Sequence, residues 1–349
     1  MKRFVPVFLF ACLVSLSLAC QAANRLLADD TPTAAPRPTR TSPPPTALPS
    51  STPNNCPNGE CIVACVNKLD AIVEPKNKKL PRHKFTGDEE YTLVTYQVDG
   101  DEISDPKLGK VISSLKSYQS DTAAQKQLWD YFAAIIPPEQ RTFLTHYLVF
   151  TDGEDNLLAS VAQSDTSLND WDLSVDILDT SDPKDLTYTL VHEFGHLLTL
   201  NPNQVTPSKA IFDNPDSDRV YKKEEKACST YFPGEGCSHK ESYINQFVSR
   251  FWDNKLYNEW AKIDAIEDDD ERDIKLEAFY KQHRSQFVTD YAPTSPAEDI
   301  AESWSYFVLK PKPGSTSIAN EKVLFFYEFP ELVHLRQQIA LNLCDQLEK

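Results

Sequence analysis

An α+β fold is predicted for this chain of 349 residues, from two observations on the sequence. Segments that alternate apolar and polar residues, as half-buried strands do, gather before residue 180. Stretches of helical periodicity dominate after it, and strands grouped ahead of helices belong to the α+β class. The first strand is expected near Tyr91 to Val98, followed by helices near Asp105 to Tyr118 and Asp121 to Ile136. Strands follow near Thr142 to Thr151, Leu157 to Gln163 and Asp170 to Asp179. Thr180-Ser181-Asp182-Pro183 then supplies an N-cap with Pro at the first helical position, and the helix it opens stops at Asn201-Pro202. Glu241 to Trp260 and Glu271 to Phe287 read as helical, with the acidic Glu267-Asp268-Asp269-Asp270 between them as a solvated turn or helix start. Ser295-Pro296-Ala297-Glu298 spells a capping box with Pro at N1, which opens one more helix.

The N-terminus carries a different pattern. Lys2-Arg3 followed by the apolar run to Ala19 is a secretory signal, too short for a membrane span. It ends in Leu18-Ala19-Cys20, which looks like a bacterial lipobox and makes Cys20 the expected lipidation site, with ordinary cleavage near Ala19 or Ala23 as the alternative. Residues 29–55 are rich in Pro, Thr, Ser and Ala, with too little apolar surface to offset chain entropy, and are expected to form an extended spacer. The expected organisation is a signal at 1–19, a lipidated Cys and linker at 20–55, and one folded domain at 56–349. That places the domain outside the cell, held to a membrane by an N-terminal lipid alone.

Cysteine usage fits an exported chain. Of eight cysteines, Cys12 leaves with the signal and Cys20 takes the lipid, which leaves Cys56, Cys61, Cys65, Cys228, Cys237 and Cys344. Six suits disulfides in an oxidising compartment. Cys228 and Cys237 flank a Gly- and Pro-containing loop and are expected to pair, while one of the N-terminal three is expected near Cys344.

Chemistry concentrates in His192-Glu193-Phe194-Gly195-His196, within the apolar helical run Leu186 to Leu200. Histidines at i and i+4 share a helix face, so both imidazoles reach one metal ion with Glu193 beside it. Neutral imidazole is a good zinc ligand, and a catalytic zinc keeps one position open for a water whose pKa falls to about 7. Glu193 is the expected general base. A third ligand is required, and no third His follows at short spacing. About a hundred residues on, Glu298 and Glu302 lie one helical turn apart in Tyr291-Ala292-Pro293-Thr294-Ser295-Pro296-Ala297-Glu298-Asp299-Ile300-Ala301-Glu302. Glu298 is suited to bind zinc and Glu302 to orient a ligand His. His239, His283, Glu259 and Asp299 are rivals without a comparable local pattern.

These two blocks and the strand before the first resemble the gluzincin metallopeptidases, in particular the anthrax-lethal-factor-like zincins. The resemblance implies a zincin-like fold, with a small sheet over the motif helix and a mainly helical C-terminal half that delivers Glu298. It implies Zn2+ held by His192, His196 and Glu298, with Glu193 as base, Tyr291 stabilising the oxyanion and Glu302 orienting a ligand His. The stretch between the two blocks is longer than the family pattern and is expected to loop out.

The net charge of −17 becomes two units more negative once Lys2 and Arg3 leave with the signal. Nucleic acid is excluded as a partner, because phosphate binding needs clustered Lys and Arg. Two functions are consistent with the sequence: an extracellular zinc metallopeptidase acting on peptide or protein, or an inactive zincin-fold surface lipoprotein that binds or adheres. The intact Glu193 favours the enzyme, since a structural zinc site needs no base.

Overall fold

The computed structural model describes residues 90–153 and 157–347. The expected signal at 1–19, Cys20, the expected linker at 20–55, and Cys56, Cys61 and Cys65 lie outside the described residues. The chain there is α+β. β1 (Tyr91–Asp99) and β2 (Glu102–Leu108) form an antiparallel hairpin whose turn holds Gly100 at φ +62°, a left-handed conformation natural to glycine. The helix expected over Asp105 to Tyr118 is therefore not formed. Asp105, at φ 49°, and Pro106 together oppose Tyr96 as a bulge, and the outer position of β2 tolerates a residue with no N–H to donate. Helix begins only at α1 (Lys116–Ser120) and α2 (Thr122–Ile135), where Asp121 accepts from Ala124 N–H.

β3 (Leu144–Thr151), β4 (Ala159–Gln163) and β5 (Trp171–Asp176) complete a sheet of order β2-β1-β3-β5-β4. β3 and β5 run parallel; the other neighbours are antiparallel. Alternation sends Tyr147, Val149, Leu173 and Val175 to one face, all buried, where Trp129 and Phe132 of α2 meet them. Full burial of an aliphatic or Phe side chain stabilises by about 2–3 kcal/mol. α3 (Pro183–Leu200) lies beside α2, with Tyr131 Oη and Thr187 Oγ1 2.5 Å apart. It opens as the sequence indicates, with Asp182 accepting from Lys184 N–H and Pro183 at the first position. At its end Asn201 Nδ2 donates to the carbonyl of Leu197.

The C-terminal half is mainly helical. β6 (Val205–Pro207) and β7 (Gly236–Ser238) pair antiparallel around α4 (Lys209–Phe212) and α5 (Asp218–Ala227). The helix expected over Glu241 to Trp260 is instead two, α6 (Tyr243–Phe251) and α7 (Asn254–Asp264). Asp253 breaks it by accepting from Lys255 and Leu256 N–H as a new N-cap, and Trp252 turns inward to donate to Asp299. α8 (Asp269–His283) starts inside the acidic run, with Asp268 as its cap.

α9 (Pro296–Leu309) crosses α3, and α10 (Ile318–Phe325) and α11 (Pro330–Leu347) close the core behind it. Arg336 of α11 donates to the carbonyls of Phe307 and Lys310, and Asn342 to that of Ile135. The long 201–290 stretch does not loop out. Phe247, Trp252, Trp260, Phe279 and Phe287 are buried and continue the same core, because their apolar area has nowhere else to go. Cys228 and Cys237 are bonded, Cα atoms 5.4 Å apart, and Cys344 is disulfide-bonded as well. Among the described residues, no helix is long and apolar enough to cross a membrane.

Candidate functional site

The site lies where α3 and α9 cross. Gly195 makes that crossing close: a Cβ there would stand 3.0 Å from Trp304 Cδ1 and 3.2 Å from the Cα of Ala301. The helical rise puts His192 and His196 on one face, and the close approach brings the first turn of α9 against them. Ser295 caps α9 by accepting from Glu298 N–H at 3.0 Å, and Trp260 donates to the Thr294 carbonyl, so the start of this helix is pinned from both sides.

Three donor atoms converge. Glu298 Oε2 is 3.0 Å from His192 Nε2 and 3.3 Å from His196 Nε2, and the two Nε2 atoms are 3.0 Å apart. Donors 2.0–2.1 Å from a tetrahedral zinc stand about 3.3 Å from one another, so the spacing fits such an ion. The donor chemistry fits too, since two imidazoles and a carboxylate are a set that catalytic zinc uses. His192 and His196 are buried, and Glu298 is partly open.

Electrostatics point the same way. Burial alone would lower the pKa of His192, but Glu298 and Glu302 outweigh it and hold the imidazole well above its ordinary value. His196 is likewise raised, with Glu298 overcoming burial. Glu298 is held far below the usual carboxylate range against its own burial by the two histidines. A site that pulls every member toward its charged form around one point favours a cation there, whether protons or a metal.

Glu302 sits behind His192, with Oε1 2.8 Å from Nδ1. Its other oxygen accepts from Tyr188 Oη at 2.7 Å and Thr289 Oγ1 at 2.5 Å. Such a partner on Nδ1 directs the Nε2 lone pair toward a metal. Tyr188 and Thr289 were not singled out from the sequence. Tyr188 carried a readable signal, since it lies four residues before His192 on the same helix face.

Glu193 is buried, and Oε2 accepts from Val161 N–H of β4 at 2.8 Å. Burial raises its pKa, opposed by His192 and His196. β4 is an outer strand, and Val161 turns its N–H away from β5 toward the site. Tyr291 is 53 % exposed, with its ring centroid 6.0 Å from that of His192.

The rivals are engaged elsewhere. His239 contacts Thr206 and the Asn203 carbonyl, His283 pairs with Glu259, and Asp299 with Lys322. A second group of carboxylates, Asp152, Asp176 and Asp179, gathers at the strand ends. Asp176 accepts from the N–H of Asp152 and Leu178, and Asp152 from that of Leu157, bonds that knit the turns together. Compared with known proteins, the chain matches no family model, no curated protein and no solved structure.

Proposed function

We propose that this chain is an extracellular zinc metallopeptidase of the gluzincin type, with a zincin-like catalytic domain tethered through a lipid on Cys20. The observation that carries the reading is the convergence of His192, His196 and Glu298 at tetrahedral spacing with Glu193 alongside. When bound, zinc supplies a Lewis acid that polarises a carbonyl and lowers the pKa of a water to about 7.

The residues of the chain do the rest. Glu193 takes a proton as the attack proceeds and gives it to the leaving amine. Its raised pKa suits both halves of that exchange. The Val161 N–H holds one carboxylate oxygen still, which leaves the other to carry the proton. Glu302, braced by Tyr188 and Thr289, fixes the His192 ring. Tyr291, beside His192 and open to solvent, donates to the developing oxyanion. β4 is an outer strand among the described residues, and its outward backbone groups other than the Val161 N–H could pair with an extended peptide, which favours a peptide as substrate.

The test is metal content and cleavage of a peptide library by wild type, Glu193→Gln and Glu298→Gln. Zinc retained but cleavage lost in Glu193→Gln, and zinc itself lost in Glu298→Gln, are the expected results. Undiminished cleavage by Glu193→Gln overturns the reading, and zinc-binding wild type that cleaves nothing favours the binding lipoprotein. For the tether, incorporation of a lipid precursor that persists in Cys20→Ala removes the lipid from that residue.

A further inference from the structure

One hydroxyl joins two parts of the proposed site. Thr289 lies between α8 and α9, two residues before Tyr291, where Ala292–Thr294 make a single tight helical turn that leads into the Ser295 cap. Its Oγ1 accepts from Ala292 N–H at 3.1 Å and donates to Glu302 Oε2 at 2.5 Å. Chemistry fixes both directions, because a backbone N–H can only donate and so leaves the single hydroxyl proton for the carboxylate. The other Glu302 oxygen stands 2.8 Å from His192 Nδ1, and His192 Nε2 is one of the three converging donors. A continuous line of polar contacts thus runs from the backbone of residue 292 to the ring that would hold the ion.

The turn at the start of that line carries Tyr291. The Tyr291 carbonyl accepts from Thr294 N–H at 3.0 Å, the Thr294 carbonyl accepts from the Trp260 indole at 2.9 Å, and Ala292 is fully buried. The backbone there is tied down. The Tyr291 side chain is exposed, so its reach toward the site is set largely by the backbone that carries it. Tyr188 makes the useful contrast, since it donates to the same Glu302 oxygen at 2.7 Å but belongs to α3. Tyr188 braces Glu302; Thr289 braces Glu302 and the turn together.

We infer that Thr289 is a positioning residue that couples the metal centre to the oxyanion donor, so that an ion on His192 and the placement of Tyr291 depend on each other through one hydroxyl. An imidazole ligated at Nε2 holds the contact between Nδ1 and Glu302 more strongly. Hydrogen bonds in a chain polarise one another, so the pull continues through Thr289 to the Ala292 N–H and tightens the turn. Linkage makes the effect reciprocal: a turn held in place favours the ion as much as the ion favours the turn. The inference rests on the proposed zinc peptidase and adds to it a link between loading of the ion and readiness of Tyr291.

The test is hydrogen exchange of the 289–295 segment in the full chain, read by mass spectrometry with and without saturating zinc, with α11 as the internal reference. In the wild type, zinc should slow exchange of this segment at least about fivefold relative to α11. Thr289→Val keeps the shape of the side chain and removes the hydroxyl. It should bind zinc about tenfold more weakly, and once zinc is saturating the extra protection should be lost. Thr289→Ala removes the same hydroxyl and should give the same result, while Thr289→Ser should restore the protection. Tyr188→Phe removes the other donor to the same carboxylate oxygen, so it should weaken zinc and still keep the protection. Protection unchanged in Thr289→Val and Thr289→Ala, or lost equally in Tyr188→Phe, overturns the inference and leaves the peptidase reading standing. A wild type that binds zinc and cleaves nothing, with protection that depends on Thr289, upholds the coupling while the peptidase reading falls. A wild type that binds no zinc overturns both.

Discussion

Glu298 and Asp299 are neighbours in sequence on the first turn of α9, and the fold treats them in opposite ways. Asp299 points into the core, fully buried, and brings its own cation: Lys322 of α10, also fully buried, donates to it at 2.5 Å, and the Trp252 indole donates at 2.8 Å. Lys322 is further surrounded by aromatic rings, 4.2 Å from the centre of Phe287. Glu298 points to the opposite side, toward two imidazoles, and no Lys or Arg pairs with it among the described residues. A charge that serves the architecture comes with a permanent partner. A charge that serves a ligand is left facing a place where a cation can come and go.

The sharpest way to break this comparison is Lys322→Met. It strands a buried carboxylate, and removing one partner of such a pair destabilises by about 3–5 kcal/mol. The unfolding free energy from denaturant titration should fall by that amount with and without zinc, and adding Asp299→Leu should recover much of the loss. Glu298→Gln should behave differently. Zinc at a thousand times its dissociation constant should stabilise the wild type by about 4 kcal/mol. Glu298→Gln should abolish that gain, while its zinc-free melt falls only by what the two histidines lose with their partner, and Glu302→Gln should weaken zinc about 10–100-fold. Zinc stabilisation kept in Glu298→Gln, or lost in Lys322→Met, would erase the distinction.

Replacing Cys228 and Cys237 together by Ser removes a cross-link of sequence separation 9. The expected loss is about 2–3 kcal/mol of unfolding free energy, measured by denaturant titration. A further effect is read from pH at Asp264, a buried carboxylate with no lysine of its own. Burial pushes it up to about 8, against the pull of Arg272. The native state then holds its proton more tightly than the unfolded chain does. Stability from this group is therefore present at acid pH and is lost as pH climbs from the ordinary carboxylate range through about 8. The slope is at most about 1.4 kcal/mol per pH unit, and Asp264→Asn should flatten it in melts across that window.

Much of the site was legible because helix geometry is local. Once the strand ahead of it and the Asp182-Pro183 cap placed 183–200 in a helix, His192, Glu193 and His196 had to share a face. Glu298 and Glu302 followed from spacing and resemblance, and the cap at Ser295 from its neighbours. Lys322 carried a faint signal, a lysine directly before Val323-Leu324-Phe325-Phe326 in an apolar helix. β2 reads as loop in sequence because an outer strand is polar on both faces, with the burial of a loop, and its marker is the two-residue Gly100-Asp101 turn. The break at Asp253 was likewise written in the sequence as an N-cap, and the continuous periodicity around it masked it.

His192 and Glu298 are 106 residues apart in sequence, and the 201–290 stretch lies between them. Bringing Glu298 to the two histidines closes a long loop. Loop closure of that length carries an entropy penalty that the intervening helices must meet first, by packing Trp252, Phe287 and Lys322 behind α9. Until the C-terminal half has packed, the chain holds two histidines side by side and no third donor. On the proposed reading, zinc binding is therefore tied to completion of the C-terminal half.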